Sequence, residues 1–317
     1  MLSQRLIFGS LMILGLTGLL LLDGWLSERV LAATAAGNPY PDLQHWLFNG
    51  AIGTAITLLF TWLCTRELLT FAYKRGFEPP RVLAQVFSVG LVVGPYIAHN
   101  VDPARGLREE SWGMLWLALA LGLGFFLQAL RRGTKNVMPN LSSLVFIVFY
   151  AGGLAGFLVK LRMEIGGNLG ILVMLATLLI VKSSDIGAYF SGMLLGRHKM
   201  IPWLSPKKTW EGFVGGILIS SFVAIGIVYA LGLNDDIASR QIASFPGFPI
   251  NVGLVGLLLA LIAVAGDLCA SLLKRDAELK DSSQAIPGFG GVLDVMDSPL
   301  LTAPVAWFLW TRVLLAA

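Results

Sequence analysis

Charged residues are scarce in this sequence. Only 13% of its 317 residues are Asp, Glu, Lys or Arg, whereas 56% are hydrophobic, and the mean hydropathy is +0.76. A soluble domain carries about 25% charged residues, so this chain has too little polar surface to cover itself in water. The composition excludes an ordinary soluble globular protein and indicates a protein whose solvent is the lipid bilayer.

Cysteine and histidine are scarce as well. The two cysteines, Cys64 and Cys269, both lie in apolar runs, and His198 has no second histidine nearby. Cysteines without a partner or metal-ligand spacing are typical of small buried apolar side chains. A disulfide framework and a Cys/His metal centre are therefore both disfavoured.

Long apolar runs are what the sequence has instead. A helix needs about 20 mostly apolar residues to cross the hydrocarbon core of a membrane, and about nine runs qualify. The first could instead be a signal peptide, because Arg5 precedes it and small residues follow, but its length favours a retained helix. The runs predict an all-α, polytopic membrane protein and lie near 6–22, 46–64, 82–98, 112–130, 141–159, 169–190, 213–233, 251–272 and 299–316.

The basic residues indicate the orientation of these helices. The net charge of +4 could point to nucleic acid, but the cations sit between apolar runs. If the amino terminus is inside, 16 of the 23 lysines and arginines fall in inside segments. By the positive-inside rule, this distribution predicts a cytoplasmic amino terminus, and no nucleic-acid partner is expected.

Chemistry-bearing residues are concentrated in the second half of the chain. Residues 1–168 hold no cluster of acids, bases or metal ligands, so we separate them from a catalytic region, 169–317. In that region two inside connections, 182–212 and 267–298, carry carboxylates, lysines, serines and glycines together. Any functional site is therefore predicted in these two connections.

The first connection combines a helical stripe with a basic turn. Helical spacing puts Lys182, Asp185 and Tyr189 on one face. A surface ion pair between Lys182 and Asp185 would explain part of this pattern without any function. The segment from Ser205 to Gly212 adds hydroxyls, backbone amides and two adjacent lysines, which can cradle an anion, although charge alone would make these lysines ordinary positive-inside flanks.

The second connection is richer in carboxylates. The steps of four, three, four and three residues from Asp267 to Asp281 form one helical stripe that follows an apolar run. A glycine-rich turn then precedes Asp294 and Asp297. Carboxylates with few histidines suit a hard cation such as Mg²⁺, usually completed by substrate phosphates. For Asp276 and Glu278 the solvated-charge interpretation is the better one.

A series of short motifs runs through residues 182–298 and forms a long, specific pattern. They are Asp185-x-x-Ala-Tyr189, Gly196-Arg-His-Lys199, Ser205-Pro-Lys-Lys-Thr-Trp-Glu-Gly212, Gly266-Asp-Leu268, Ser271-Leu-Leu-Lys-Arg275, Lys280-Asp-Ser-Ser283 and Pro287-Gly-x-Gly-Gly-x-x-Asp-x-x-Asp-Ser298. The pattern resembles the phosphatidate cytidylyltransferases, or CDP-diacylglycerol synthases. The chain departs from that family at Phe289, where His is usual, and at Val295, where Arg is usual.

The resemblance implies the reaction CTP + phosphatidate → CDP-diacylglycerol + pyrophosphate, with Mg²⁺ and room for a second cation. It also implies a membrane-lipid substrate, a homodimer and a bacterial inner membrane. The distribution of basic residues independently predicts that the active site faces the cytoplasm, where CTP is found. The expected metal ligands are Asp267 and Asp294, with Asp297 and Asp281 as further ligands. The expected catalytic residues are Asp267, Asp294, Lys274 and Lys208, and the expected substrate-binding residues are Asp185, Ser205, Lys207, Thr209, Ser271, Arg275 and Lys280.

Other functions remain to be compared with this one. A CTP-dependent kinase of a lipid alcohol, of the polyprenol type, would share the nucleotide and metal but release CDP. A secondary transporter would place polar groups near the membrane midplane rather than at one face. A CDP-alcohol phosphotransferase is excluded, because the one Asp-Gly pair, Asp23-Gly24, lacks the required following residues.

Overall fold

The computed structural model describes residues 2–35, 48–100, 109–233, 250–286 and 290–315. Helices make up most of these ranges: α1 (Leu2–Ala35), α2 (Ala51–Lys74), α3 (Arg81–Asn100), α4 (Glu109–Arg132), α5 (Val137–Ile147), α6 (Leu154–Ile165), α7 (Gly167–Leu195), α8 (Trp210–Ala230), α9 (Ile250–Asp276) and α10 (Val292–Phe308). A π-helical segment, Val148–Gly153, joins α5 to α6, and a second one, Leu309–Leu314, continues α10. Two short strands, β1 (Lys199–Ile201) and β2 (Ser205–Thr209), complete the described elements.

Eight of these helical stretches are long and apolar enough to cross a membrane, and they coincide with eight of the predicted runs. They are Ala51–Lys74, Arg81–Asn100, Ser111–Arg132, Val137–Ile165, Gly167–Leu195, Trp210–Ala230, Ile250–Asp276 and Val292–Leu314. The remaining predicted run, 6–22, lies inside α1, which is helical over 34 residues. The prediction of an all-α, polytopic membrane protein is confirmed.

The helices form two compact units. The first comprises Met1–Ile171 and Asp276–Met296, and the second comprises Leu172–Arg275 and Asp297–Ala317. The segment after α9, which carries Asp281 and Asp294, thus packs with the amino-terminal helices. The division of the chain at residue 168 into two functional regions stays a prediction.

In the first unit, small residues let α3 pack closely against its neighbours. A Cβ added to Gly152, in the π-helical segment, would overlap the backbone carbonyl of Ser88 in α3. At Gly156 in α6 it would lie 2.9 Å from the carbonyl oxygen of Leu91. Helices in lipid gain little from excluding water and associate largely through such close packing. These contacts therefore hold the centre of the unit together.

A buried ion pair joins three helices of the first unit. Arg162 in α6 donates from Nε to Oδ2 of Asp23 in α1 at 3.1 Å and from Nη2 to the hydroxyl of Ser27 at 2.6 Å. The other carboxylate oxygen of Asp23 accepts the backbone N–H of Ile52 in α2 at 2.9 Å. Both charged side chains are about 1% exposed. Neither charge can be left without the other, because an unpaired buried charge is strongly destabilising.

We predict that Arg162→Met lowers the free energy of unfolding by about 3–5 kcal/mol, because it leaves the Asp23 carboxylate buried without its cation. The double variant Asp23→Leu, Arg162→Met should recover much of this loss, since no charge then remains in the site. Thermal unfolding in detergent measures both variants. Arg131→Met is the control because Arg131 is exposed in the same unit. If Arg131→Met lowered the free energy of unfolding as much as Arg162→Met does, the prediction would be contradicted.

In the second unit, α7, α8 and α9 meet at small residues. A Cβ on Gly187 in α7 would lie 3.2 Å from the Cα of Gly216 in α8, and one on Gly256 in α9 would lie 2.7 Å from the Cα of Ser221 in α8. The hydroxyl of Ser220 donates to the carbonyl oxygens of Ile180, at 3.3 Å, and Gly256, at 3.0 Å. This serine thus bridges three helices, which positions the polar residues that follow on α7 and α9.

A two-stranded antiparallel hairpin leads into α8. Lys199 pairs with Thr209, and Ile201 pairs with Ser205. Thr209 then acts as the N-cap of α8, because its hydroxyl accepts the backbone N–H of Gly212 at 3.1 Å. A threonine N-cap satisfies one of the free N–H groups at the start of a helix. The cap fixes β2, and with it the two adjacent lysines, at the amino end of α8.

Candidate functional site

Five charged side chains of the second unit form what we call the carboxylate–lysine cluster: Lys182 and Asp185 of α7, Lys208 of β2, Asp267 of α9 and Asp297 of α10. Lys208 Nζ lies 2.6 Å from Asp267 Oδ2, and Lys182 Nζ lies 3.2 Å from Asp185 Oδ2. The three carboxylates also interact electrostatically with one another. Charges in membrane-spanning helices are costly and mark functional sites by default, so this cluster is the candidate active site.

A close approach of α9 and α10 brings Asp267 and Asp297 together. Gly266, the residue before Asp267, lies so near α10 that an added Cβ would be 2.6 Å from the carbonyl oxygen of Asp297 and 3.1 Å from the Cα of Ser298. A side chain at position 266 would therefore push the two backbones apart. This is the physical reason for a glycine in the Gly-Asp motif.

Strand geometry separates the two adjacent lysines. Successive side chains of a β-strand point to opposite faces, and in β2 Lys208 is partly buried against Asp267 while Lys207 is exposed. Ser205, at the start of the strand, is partly buried. The predicted anion cradle is thus divided, with Lys208 inside the carboxylate–lysine cluster and Lys207 on the surface.

The other predicted substrate-binding residues occupy varied positions. Thr209 uses its hydroxyl to cap α8. Ser271, one turn after Asp267, has its hydroxyl 3.5 Å from that carboxylate. Lys274 and Arg275 lie in the last turn of α9, where cations are favoured by the helix dipole. Their roles toward a substrate stay predictions.

The donor set of the carboxylate–lysine cluster fits a cation that is completed by substrate oxygens. Three carboxylates share two lysines, so one carboxylate has no lysine partner, and Asp297 is only 6% exposed with no cation within 4 Å among the described residues. Within the same described ranges, no three Asp, Glu, His or Cys side chains converge closely enough to hold a metal alone. Mg²⁺ is commonly held by one or two carboxylates plus substrate phosphates. A carboxylate without a lysine partner and an incomplete set of protein ligands are both consistent with that kind of site.

Asp294 and Asp281 belong to the first unit, where Asp294 organises a turn. Its Oδ2 accepts the backbone N–H and the hydroxyl of Ser282, at 2.9 and 2.8 Å, and the backbone N–H of Gly291 at 2.9 Å. The bond to Gly291 resembles half of a capping box, with Asp294 at the third position of α10. Gly290 has φ +94°, and a Cβ there would lie 2.6 Å from Asp294 Oδ2. A role of Asp294 or Asp281 in metal binding stays a prediction.

Glu67 in α2 is the residue that the sequence analysis missed. Its Oε1 accepts the hydroxyl of Ser283 at 2.6 Å and the backbone N–H of Val292 at 2.9 Å, while Oε2 accepts the N–H of Leu293 at 2.8 Å. The first N–H groups of a helix have no partner within the helix. Glu67 and Asp294 together satisfy those of Gly291, Val292 and Leu293, so two carboxylates fix the start of α10.

A signal for Glu67 was present in the sequence. The apolar run ends near residue 64, but α2 continues to Lys74, so Glu67 is a buried acid within a spanning helix. Such an acid usually has a specific partner. The partners lie more than 200 residues away along the chain, which no local pattern could reveal. Phe289 lies outside the described residues, and Val295 is a partly buried residue of α10.

We predict that Glu67→Gln loosens the start of α10. The amide retains one acceptor oxygen but loses the second, so at least one backbone N–H loses its charge-assisted bond, worth about 1.5–3 kcal/mol. Hydrogen–deuterium exchange of the Val292 and Leu293 amides should therefore accelerate roughly tenfold or more.

Glu278→Gln provides the matched control for this prediction, because Glu278 is an exposed acid of the same unit. It should leave exchange at Val292 and Leu293 unchanged. Unchanged protection of these amides in Glu67→Gln would show that Glu67 does not hold the helix.

These features define the class of the protein: a polytopic helical membrane protein with a cluster of carboxylates and lysines carried by three spanning helices and one strand. The chain belongs to the cytidylyltransferase family, whose model matches residues 43–313.

Among its relatives, the phosphatidate cytidylyltransferase of Bacillus subtilis (strain 168) is 37% identical over 279 residues, covering 84% of this chain and 97% of that protein. That of Haemophilus influenzae is 41% identical over 207 residues, covering 64% and 66%. That of Synechocystis sp. is 28% identical over 294 residues, covering 84% and 89%.

Proposed function

We propose that this protein is a phosphatidate cytidylyltransferase, which forms CDP-diacylglycerol and pyrophosphate from CTP and phosphatidate. The named relatives carry this activity in their names, and one of them aligns over 84% of this chain. The observation that carries the proposal within the molecule is the Lys208–Asp267 ion pair at 2.6 Å, inside a cluster with two further carboxylates. The aspartate orients the ammonium group of the lysine, which can then bind the phosphate oxygens of a substrate.

The reaction needs positioning and charge stabilisation more than acid–base chemistry. An oxygen of the phosphatidate phosphate forms a bond to the α-phosphorus of CTP, while the bond to the β-phosphate oxygen breaks and pyrophosphate leaves with that electron pair. The attacking phosphate is already anionic near neutral pH, so no general base is required. Negative charge grows on the leaving group, and fixed cations stabilise it most when they are already oriented.

Within the carboxylate–lysine cluster, we assign Lys208 and Lys182 to phosphate oxygens of the nucleotide. Asp267 and Asp185 each hold one of these lysines by an ion pair, and so keep the ammonium groups oriented before the substrate arrives. Asp267 and Asp297 would hold Mg²⁺, which supplies neutralisation of phosphate charge when bound. A second cation near the same carboxylates belongs to the same proposal.

The test is production of CDP-lipid and pyrophosphate by purified protein in detergent, supplied with CTP, Mg²⁺ and phosphatidate. Lys208→Met should reduce turnover by roughly 10²–10³-fold, the range found when one preorganised electrostatic donor is removed. Turnover of Asp267→Asn should fall at least as far, because this variant loses both the partner of Lys208 and a proposed cation ligand. Asp276→Asn, an exposed acid at the end of α9, is the matched control.

The products distinguish the alternatives. CDP-lipid and pyrophosphate that disappear in both cluster variants support the proposal. Release of CDP with a polyprenol or another lipid alcohol would assign the protein to lipid-alcohol kinases. Uptake of a solute into vesicles without nucleotide would favour a transporter, and full turnover in Lys208→Met would remove that lysine from the mechanism.

The location proposed for this activity is a bacterial inner membrane, with the carboxylate–lysine cluster facing the cytoplasm, where CTP is found. The bias of lysines and arginines toward one set of loops supports this orientation. The homodimer implied by the family resemblance belongs to the same proposal, and the mass of the detergent-solubilised complex tests it.

We predict a defined labelling pattern for this orientation. In a variant with Cys64 and Cys269 replaced by Ala, Glu164→Cys should react with an impermeant maleimide in intact spheroplasts. Lys135→Cys should react only after permeabilisation, because the two exposed positions lie at opposite ends of the α5–α6 span. The reverse pattern would place the amino terminus outside.

A further inference from the structure

The first unit contains a partly open pocket of about 750 Å³ between α2, the start of α3 and the segment after α9. Four cations line it, and we call it the basic pocket: Arg66, Lys74, Arg81 and Lys280. Arg66, Thr70 and Lys74 follow one another at helical spacing, so a single face of α2 supplies much of the wall. Only Lys280 among these cations was assigned to a substrate by sequence motifs.

The charge of the basic pocket is poorly balanced by the protein. Two carboxylates, Glu67 and Asp281, also line it. Both oxygens of Glu67 accept hydrogen bonds from Ser283 and the start of α10, and these neutral donors leave its negative charge in place. Four cations thus face two carboxylates, and the net positive charge that remains favours an anion in the pocket.

The neighbouring cations behave differently. Arg75, the residue after α2, lies 3.4 Å from Asp276, and Arg132 at the end of α4 pairs with Glu78. Among the described residues, none of the four pocket cations has a carboxylate within 4 Å. Positive-inside flanking accounts for each of these exposed cations taken singly. Their convergence on one pocket is the feature that points to a ligand.

The pocket lining also includes neutral polar side chains, of which the amide of Gln284 can donate. The hydroxyl groups of Thr70, Tyr73 and Ser282 line the pocket as well, but they already donate to the carbonyl oxygens of Arg66 and Pro79 and to Asp294 Oδ2. Arginine forks and lysine ammonium groups are therefore the groups here that can recognise phosphate. An acidic protein surface would not enter a cavity of this size, whereas a phosphate group with part of its molecule would fit.

We infer that the basic pocket binds a phosphate-bearing ligand, with Arg66, Lys74 and Arg81 of the amino-terminal helices as the recognition residues. The inference rests on the proposed function for its choice of ligands, since a lipid phosphate monoester and a nucleotide polyphosphate are the two sources of this chemistry. It gives the amino-terminal helices a role in substrate capture, whereas sequence motifs gave them none.

The experiment measures binding without turnover, by calorimetry on full-length protein in detergent. The probes are pyrophosphate alone and phosphatidate in mixed micelles, with phosphatidylcholine as the neutral-lipid reference. Arg66→Gln, Arg81→Gln should weaken binding of one phosphate probe roughly tenfold or more, and salt should weaken it in the wild type. Arg131→Gln, Lys135→Gln removes the same charge from exposed positions of the same unit and should change binding less than about twofold.

The outcomes distinguish the two ligand sources, and they distinguish failure of the pocket inference from failure of the proposed function. Selective loss of pyrophosphate binding assigns the pocket to the nucleotide, and selective loss of phosphatidate binding assigns it to the lipid. Binding of both probes within about twofold of wild type, or equal loss in the control, overturns the inference. Arg66→Lys, Arg81→Lys should restore binding if charge is what matters, which distinguishes lost recognition from misfolding. A protein that binds the probe but makes no CDP-lipid would refute the proposed function and leave the pocket standing.

Discussion

Every buried carboxylate in this protein needs a donor or a cation, because the bilayer supplies no water to solvate it. Asp23 meets this requirement with Arg162 and the amide of Ile52. Glu67 meets it with two backbone amides and a hydroxyl. The requirement links segments that are far apart in sequence, and so it determines where helices begin and which of them pack together.

The same requirement explains why the proposed active site is built as it is. Asp267 and Asp185 each hold a lysine, and Asp297 interacts electrostatically with both carboxylates but has no cation within 4 Å among the described residues. In the proposed mechanism, a cation bound together with substrate phosphates would balance the carboxylate that has no lysine. Glycine makes the arrangement possible, since Gly266 lets α9 and α10 approach beside Asp267.

Under the two proposals, the units of the protein have different roles toward the substrates. The second unit holds the carboxylate–lysine cluster, which suits phosphoryl chemistry, and the first holds the basic pocket, which suits capture of a phosphate. Glu67 connects the two features of the first unit, because it lines the basic pocket and also fixes the start of α10. The amino-terminal helices are thus more than membrane anchors under the proposals made above.

The sequence by itself determined the fold class, the positions of the spanning helices and the family. These features depend on local composition and on contiguous motifs, and eight predicted spans coincide with described helices. It also singled out Asp267 and Asp185, because charge in an apolar helix is a local signal, and Lys208 through its motif, although their roles at a site stay predictions. Only the tertiary structure decided that Lys208, and not Lys207, meets Asp267, that Thr209 and Asp294 serve as caps, and that Glu67 holds a helix begun more than 200 residues later. The physical reason is that pairing of polar groups is set by close approach of helices in three dimensions, and a side chain's partner leaves no trace at its own position in the chain.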